Sequence, residues 1–218
     1  MKLPERLLFV GAHCDDIELF AGGLLTRACS EGKRVGVLVC SDHRGVLSEA
    51  EALRARGEFH ENLAMLRGLG PCQLQDHSRL WWTACQGQFQ RERAALYAAL
   101  EAIRVDYDWV ISHAPSDTNQ DHQQVAQEVI RCCKATCSVL AGEFPYDDVG
   151  GFTPQVFVRL TAEQLSRKVA LIQRYESQRI NGRPYLAETA IRGLAQSRGA
   201  QVSSDAAEAF QIAARVIV

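Results

Sequence analysis

"FVGAHCDDIELFAGGLL" (residues 9–25) places a histidine and two adjacent aspartates directly after an apolar run and ahead of a glycine pair. The apolar run belongs to RLLFVGA (6–12), which is typical of a strand buried on both faces of a sheet. Two further runs of this kind, RVGVLVCSD (34–42) and DWVISHAP (108–115), also end in polar residues. The sequence therefore predicts buried strands, each followed by polar side chains.

Helical patterns separate these strands and continue to the end of the sequence. The predicted helical stretches are 20–32, 49–70, 91–103, 121–133, about 162–178 and 184–199, and two more strands are predicted at 138–144 and 155–160. This alternation is typical of parallel strands joined by right-handed crossovers. We expect an α/β fold, a Rossmann-like layered and mostly parallel sheet with helices on both faces. Because no linker or repeat interrupts the pattern, a single domain over residues 1–218 is expected.

Composition narrows the classes of partner. The formal charge of −2 and the 23% of charged residues disfavour nucleic acid as a partner. No segment approaches the ~20 apolar residues of a membrane span or resembles a signal peptide, so a cytoplasmic protein without a transmembrane segment is expected. The eight cysteines contain no C-x-x-C pair and are expected to be reduced thiols. The amphipathic helices of the last third either cover the sheet or pair subunits in a homo-oligomer.

The polar residues that follow the strands should meet at one edge of the sheet, because ligands of such folds bind at the carboxyl ends of the strands. These residues are His13, Asp15 and Asp16 after the first strand, Asp42, His43 and Arg44 after the second, and His113 with residues 116–122 after a later one.

Three of these side chains have the chemistry of a metal site. His13 and Asp16 are three residues apart at the start of a helix, so both can converge on one point, and His122 opens a helix at the same edge. Two imidazoles and a carboxylate are suitable ligands for a catalytic zinc ion that keeps a position for water. Asp15, next to a ligand, could take a proton from that water. Taken singly, each residue has an ordinary alternative: a hydrogen-bonded surface histidine, or a carboxylate that caps a helix.

Two motifs resemble those of a known family. AHCDD (12–16) is similar to the A-H-P-D-D signature of the zinc-dependent N-deacetylases related to phosphatidylinositol-glycan class L and LmbE-like proteins, and SDTNQDHQQV (116–125) is similar to their S-D-T-H-x-D-H-x-x-V motif. The resemblance implies a Rossmann-like fold with His13, Asp16 and His122 as zinc ligands. It also implies that Asp15 is the general base, which afterwards protonates the departing amine.

The sequence departs from the family pattern at two positions. Cys14 replaces the usual proline; this change should be tolerated, the alternative being a thiol that acts as ligand or nucleophile. Asn119 stands where the family usually has a histidine that stabilises the oxyanion. Its amide can donate a hydrogen bond to the oxyanion but brings no positive charge. Three alternatives follow: Asn119 and the metal together stabilise the oxyanion, or His113 or Arg44 assists them, or the activity is weak. Arg44 and Glu143 are further candidates for substrate binding, with surface and capping roles as their alternatives.

The sequence thus predicts a metal-dependent amidohydrolase that removes the acetyl group of an N-acetylated amino sugar, or of its glycoconjugate or nucleotide-linked form. The expected cofactor is Zn²⁺, with another divalent metal such as Fe²⁺ as the alternative. The second hypothesis is a non-haem iron oxygenase, since the same three ligand types form its facial triad, but those enzymes are usually all-β and the alternation of strands and helices disfavours it. The third hypothesis is a weakly active or inactive family member that acts as a metal- and sugar-binding module. A nucleotide-binding domain is disfavoured, because residues 11–23 do not have the G-x-G-x-x-G spacing.

Overall fold

The sheet and helices are taken from a computed structural model, which describes residues 2–78, 86–146, 151–179 and 182–214. Its strands are β1 (Arg6–Gly11), β2 (Arg34–Val39), β3 (Gln73–Asp76), β4 (Trp109–His113), β5 (Ser138–Gly142), β6 (Val156–Arg159) and β7 (Ala207–Ala214). Its α-helices are α1 (Asp16–Ser30), α2 (Glu49–Arg67), α3 (Arg93–Ile103), α4 (Gln120–Cys133), α5 (Ala162–Gln173), α6 (Glu176–Arg179) and α7 (Glu188–Ala200).

The strands form one sheet in the order β3-β2-β1-β4-β5-β7-β6. The first five strands in this order are parallel to their neighbours, whereas β7 runs antiparallel between β5 and β6. The predicted α/β fold with a mostly parallel sheet is confirmed. β3 and β7 were not predicted as strands.

Alternating residues of β1 explain why helices cover both faces of the sheet. Leu7 and Phe9 belong to a buried cluster built with α1, α2, α5 and α7. Leu8 and Val10 belong to a second cluster, built with α3 and α4. Since successive side chains of a strand point to opposite faces, a strand that is apolar at consecutive positions requires a helical layer on each side.

Helix boundaries differ in detail from the expected stretches. The first helix begins at Asp16, four residues before the apolar pattern that begins at residue 20. The stretch 162–178 is divided into α5 and α6, and the stretch 184–199 begins with a 3₁₀ turn before α7.

No helix within the described ranges combines the length and apolar character that crossing a membrane requires. The seven described cysteines are free thiols, and Cys85 lies outside the described residues.

α1 contains a break that a distant strand stabilises. Ala21 has non-helical angles (φ −146°, ψ 19°), so the helix restarts just after it. Glu208 on β7 accepts hydrogen bonds from the N–H groups of Gly23 and Leu24, each at 2.7 Å, and therefore caps the second half of the helix. Lys168 on α5 donates to the same carboxylate at 2.7 Å, and both charged side chains are buried. This ion pair ties the two halves of α1 to the sheet and to α5.

Candidate active site

The candidate site lies where the sheet changes its winding direction. β1 leads into α1 on one face, and its neighbour β4 leads into α4 on the other face. Such a switch point opens a crevice at the carboxyl ends of the two strands. His13 and Asp15 occupy the turn after β1, Asp16 begins α1, and His122 is the third residue of α4. The structure therefore brings together the four residues on which the sequence analysis depended.

His13, Asp16 and His122 form a compact set of donors, called here the ligand cluster. One nitrogen or oxygen of each lies within 4.8 Å of those of the other two. His13 Nδ1 is 3.4 Å from Asp16 Oδ2, and His122 Nε2 is 3.4 Å from Asp16 Oδ1. All three side chains are about 98% buried, at 2% exposure for each residue. A cluster of this chemistry and size fits one divalent cation.

Hydrogen bonds from outside the ligand cluster fix which ring nitrogens can face a cation. His122 Nδ1 lies 2.8 Å from Asp117 Oδ2, and a carboxylate accepts, so Nδ1 carries the proton and Nε2 is left for a metal. His13 Nε2 donates in the same way to Asp121 Oδ2 at 3.2 Å, which leaves Nδ1. The two nitrogens left without a proton, His13 Nδ1 and His122 Nε2, are the ones that lie 3.4 Å from the oxygens of Asp16. Carboxylates that orient imidazoles in this way are a regular feature of metal sites in proteins.

The carboxylate and the imidazoles of the ligand cluster shift each other's pKa values toward the charged forms. Burial by itself raises the pKa of Asp16, but His122, His113 and His13 outweigh it and hold the pKa well below its usual value. Burial lowers the pKa of His122, yet the carboxylates of Asp16 and Asp117 raise it to about 10. The pKa of His13 is raised for the same reason, by Asp16 and Asp121 against burial. The site thus attracts positive charge, which protons or a metal ion can supply.

His113 lies behind the ligand cluster. Its ring stacks on that of His122 with centroids 3.9 Å apart, and its Nε2 accepts a hydrogen bond from the N–H of Ala12 at 3.0 Å. Burial and the neighbouring His122 lower its pKa. His113, Asp117 and His122 form a second possible ligand group, but His113 and Asp117 do not line the cavity in front of the site. The first cluster is therefore the one that a substrate can reach, and the structure does not bring His113 to the cavity.

A cavity of about 60 Å³ opens in front of the ligand cluster. It is lined by His13, Asp15, Asp16, His43, Gln86, Asn119, His122, Phe144, Tyr146, Arg183 and Tyr185. Asp15 faces this cavity without belonging to the ligand cluster, as a general base requires. Asn119 caps α4, because its Oδ1 accepts hydrogen bonds from the N–H groups of Asp121 and His122. Its amide NH₂ is consequently the group that it can offer to a substrate.

Three residues considered in the sequence analysis lie elsewhere. Arg44 is held by Asp42, with Nε and Nη2 each 3.1 Å from the carboxylate, and lines a neighbouring cavity. Glu143 accepts a hydrogen bond from Arg198 Nε at 2.8 Å and lines another cavity beside α7. Cys14 does not line the active-site cavity. Its Sγ is 3.7 Å from the carbonyl oxygen of Ser41, and burial raises its pKa well above the usual value.

Several residues of the cavity were not singled out by the sequence analysis. Tyr146 and Tyr185 stack with ring centroids 4.3 Å apart, and Arg183 Nη1 donates to Tyr185 Oη at 2.9 Å. These three side chains also line an outer groove of about 730 Å³, next to the active-site cavity. They come from loops near residues 146 and 183, where no periodic pattern predicted a position. His43 follows the predicted strand 34–42 and is adjacent to Arg44. This position was the signal that could have identified His43 as a residue of the cavity.

Comparison with known proteins gives the family. Residues 8–133 match the profile of the family described as PIG-L: GlcNAc-PI de-N-acetylase, which is more than half of the chain. The chain belongs to this family. The family resemblance inferred from AHCDD and SDTNQDHQQV is therefore confirmed. Membership in a de-N-acetylase family is thereby established.

Similar proteins extend the PIG-L match. The uncharacterized deacetylase YaiS of Escherichia coli (strain K12) is 26% identical over 176 residues, which are 79% of this chain and 91% of YaiS. The N,N'-diacetylchitobiose deacetylase of Pyrococcus horikoshii has the same fold, with a TM-score of 0.72 at 16% identity over 95% of this chain and 83% of its own. GalB of Pseudomonas putida KT2440, a 4-carboxy-2-hydroxymuconate hydratase, also has it, with a TM-score of 0.69 at 19% identity over 98% of each chain. The fold alone therefore does not decide the reaction.

Proposed function

We propose that the protein is a metal-dependent N-deacetylase that hydrolyses the acetamide of an N-acetylated amino sugar, or of its glycoconjugate or nucleotide-linked form. The observation that carries the proposal is the placement of Asp15. Its carboxylate faces the same cavity as the ligand cluster of His13, Asp16 and His122 but is not part of that cluster. A base beside a cation site is the arrangement that amide hydrolysis by water needs.

The donor set favours zinc. Two imidazole nitrogens and one carboxylate oxygen are the ligands of many catalytic zinc sites, in which a position is left for water. The same set also accepts Fe²⁺. When bound, such an ion lowers the pKa of a water molecule toward ~7 and polarises a carbonyl oxygen.

The residues around the cavity then have distinct roles. Asp15 takes a proton from the water molecule as the water oxygen attacks the acetamide carbonyl carbon. When the C–N bond breaks, Asp15 gives this proton to the departing nitrogen, so acetate and a free amine are formed. The amide NH₂ of Asn119 donates a hydrogen bond to the oxyanion. Asp117 and Asp121 hold the two imidazoles in the required tautomers through the hydrogen bonds described above.

The outer groove supports a substrate larger than a single sugar ring. The active-site cavity has a volume of about 60 Å³, whereas the neighbouring groove has a volume of about 730 Å³. Tyr146, Tyr185 and Arg183 line both spaces. Aromatic faces pack against sugar rings, and a guanidinium binds hydroxyl or phosphate oxygens. We therefore place the sugar at the stacked tyrosines and the rest of the conjugate in the groove.

The test is acetate release from a panel of N-acetylated sugars, free, β-linked and nucleotide-linked, by the zinc-loaded protein. Asp15→Ala should retain one zinc ion per chain and lose at least ~10²-fold in kcat, the magnitude typical of a removed general base. The exposed Asp205→Ala serves as a matched control and should keep the wild-type rate. Release that is unaffected by Asp15→Ala or by a chelator would contradict the mechanism.

A metal- and sugar-binding module with little or no turnover is the second candidate. It is favoured by Asn119, because its amide oxygen is committed to two N–H groups of α4 and no imidazole stands at this position. This candidate predicts zinc-dependent binding of an N-acetylated sugar without acetate release. A hydratase activity, as in GalB, would give a product without acetate, and mass analysis of the same reactions distinguishes it.

A further inference from the structure

His43 occupies a backbone conformation that few side chains tolerate. Its φ is +64°, in the left-handed region, within the loop that follows β2. Glycine adopts this conformation without steric cost, and histidine does so only occasionally. The side chain is nevertheless buried, with the residue 3% exposed, and it lines the active-site cavity. A strained residue that is held in a cleft points to a role for its side chain.

Neighbouring groups fix the orientation of the His43 ring. The ring stacks on His13 with centroids 4.9 Å apart and an angle of 14° between the planes. His43 Nδ1 lies 3.3 Å from Gln86 Oε1. An amide oxygen accepts, so this contact places the proton on Nδ1 and leaves a lone pair on Nε2.

His43 Nε2 is the unusual atom. It is buried and has no hydrogen-bond partner among the described residues. It lies 3.7 Å from Asp15 Oδ1, the oxygen of the proposed general base. Both atoms are acceptors, so they do not bond to each other, but they are close enough for one water molecule to donate a hydrogen bond to each.

We propose that His43 is a catalytic residue of this site: its Nε2 accepts one hydrogen bond from the attacking water while Asp15 accepts the other. This inference rests on the proposed hydrolysis and adds to it. A water molecule that donates both of its hydrogens to fixed acceptors has its two lone pairs held in fixed directions, so its attack on the carbonyl carbon is oriented. Asp15 removes the proton, and His43 sets the direction of attack.

Three substitutions separate this role from a structural one. His43→Gln keeps a polar atom near the position of Nε2, His43→Asn keeps one near the position of Nδ1, and His43→Gly removes both. Backbone preference ranks the same variants in the opposite order, because glycine and then asparagine fit a positive φ better than glutamine. We expect kcat to fall about 10- to 100-fold in His43→Gly and His43→Asn, and less in His43→Gln, with little change in KM. Thermal stability should be highest in His43→Gly and lowest in His43→Gln.

The experiment measures kcat, KM, zinc content and the thermal midpoint for each variant, with Val46→Ala, an exposed position in the same loop, as the control. Opposite rankings of activity and stability, at one zinc per chain, support the proposal. Activity in His43→Gly above half the wild-type kcat would overturn it, as would an equal loss in all three variants or a loss confined to KM. If the wild-type protein releases no acetate from any amide of the panel, the proposed function fails first and the role of His43 with it.

Discussion

The buried ion pair between Glu208 and Lys168 gives a prediction whose size can be worked out from its contacts. Glu208 accepts three hydrogen bonds at 2.7 Å, from the N–H groups of Gly23 and Leu24 and from Lys168 Nζ. Glu208→Ala leaves the ammonium group of Lys168 with the carbonyl oxygen of Leu19 as its remaining acceptor among the described residues. It also leaves two N–H groups of the broken helix α1 without an acceptor.

Removing one partner of a buried ion pair lowers the free energy of unfolding by about 3–5 kcal/mol, and each buried donor left without an acceptor lowers it by about 1–3 kcal/mol. These terms share atoms and do not add fully, so we take about 4 kcal/mol for Glu208→Ala. For a chain of this length that corresponds to a decrease of about 8–16 °C in the thermal midpoint. Glu208→Gln keeps one acceptor oxygen and should lose roughly half as much.

Thermal unfolding followed by circular dichroism measures this effect, with denaturant unfolding as a second measurement. Glu163→Gln is the matched control, since Glu163 forms an exposed pair with Arg167 one turn along α5. Exposed pairs of this kind contribute about 0.3–0.5 kcal/mol, which is a shift of about 1–2 °C. A midpoint for Glu208→Ala within that range of the wild type would refute the view that this carboxylate stabilises the break in α1.

Two further predictions concern the site itself. Asp117→Asn removes the carboxylate that orients His122 through Nδ1, and it should weaken zinc binding about 10- to 100-fold, as measured by competition with a chromogenic chelator; unchanged affinity would mean that the tautomer is set in another way. Asn119→His places an imidazole at the rim of the cavity, where it could stabilise the oxyanion. We expect kcat for acetate release to rise with zinc content unchanged, and a fall in kcat together with lost zinc would show that the cap on α4 matters more.

The central part of the fold could be predicted because apolar residues occupy both faces of its strands. β1, β2, β4 and β5 lie between helical layers, and most of their residues are apolar. β3 carries no such run, because it is an edge strand in which Leu74 alone is buried. The β7 sequence AEAFQIAA is rich in alanine, a poor strand former, and its strand is stabilised by ladders with β5 and β6 on both sides.

The ligand cluster could be predicted for a related reason. His13 and Asp16 lie in the turn after β1 and at the start of α1, and His122 lies in the first turn of α4, so the ends of two neighbouring parallel strands bring them to one edge. Tyr146 and Arg183 lie in loops, whose conformation depends on tertiary contacts that no local pattern records. In the loop after β2 the sequence favoured Arg44, but Asp42 holds that guanidinium, and the left-handed turn at His43 directs the neighbouring imidazole into the cavity instead.

The insertion of β7 between β5 and β6 has a consequence for how the chain is made. The carboxylate that stabilises the break in α1 is 184 residues later in the sequence than Leu24, whose N–H it accepts. A nascent chain on the ribosome can build the parallel core early, but the cap on the second half of α1 is missing until β7 has emerged. Emergence of β7, more than collapse of the parallel core, is then the step that completes α1.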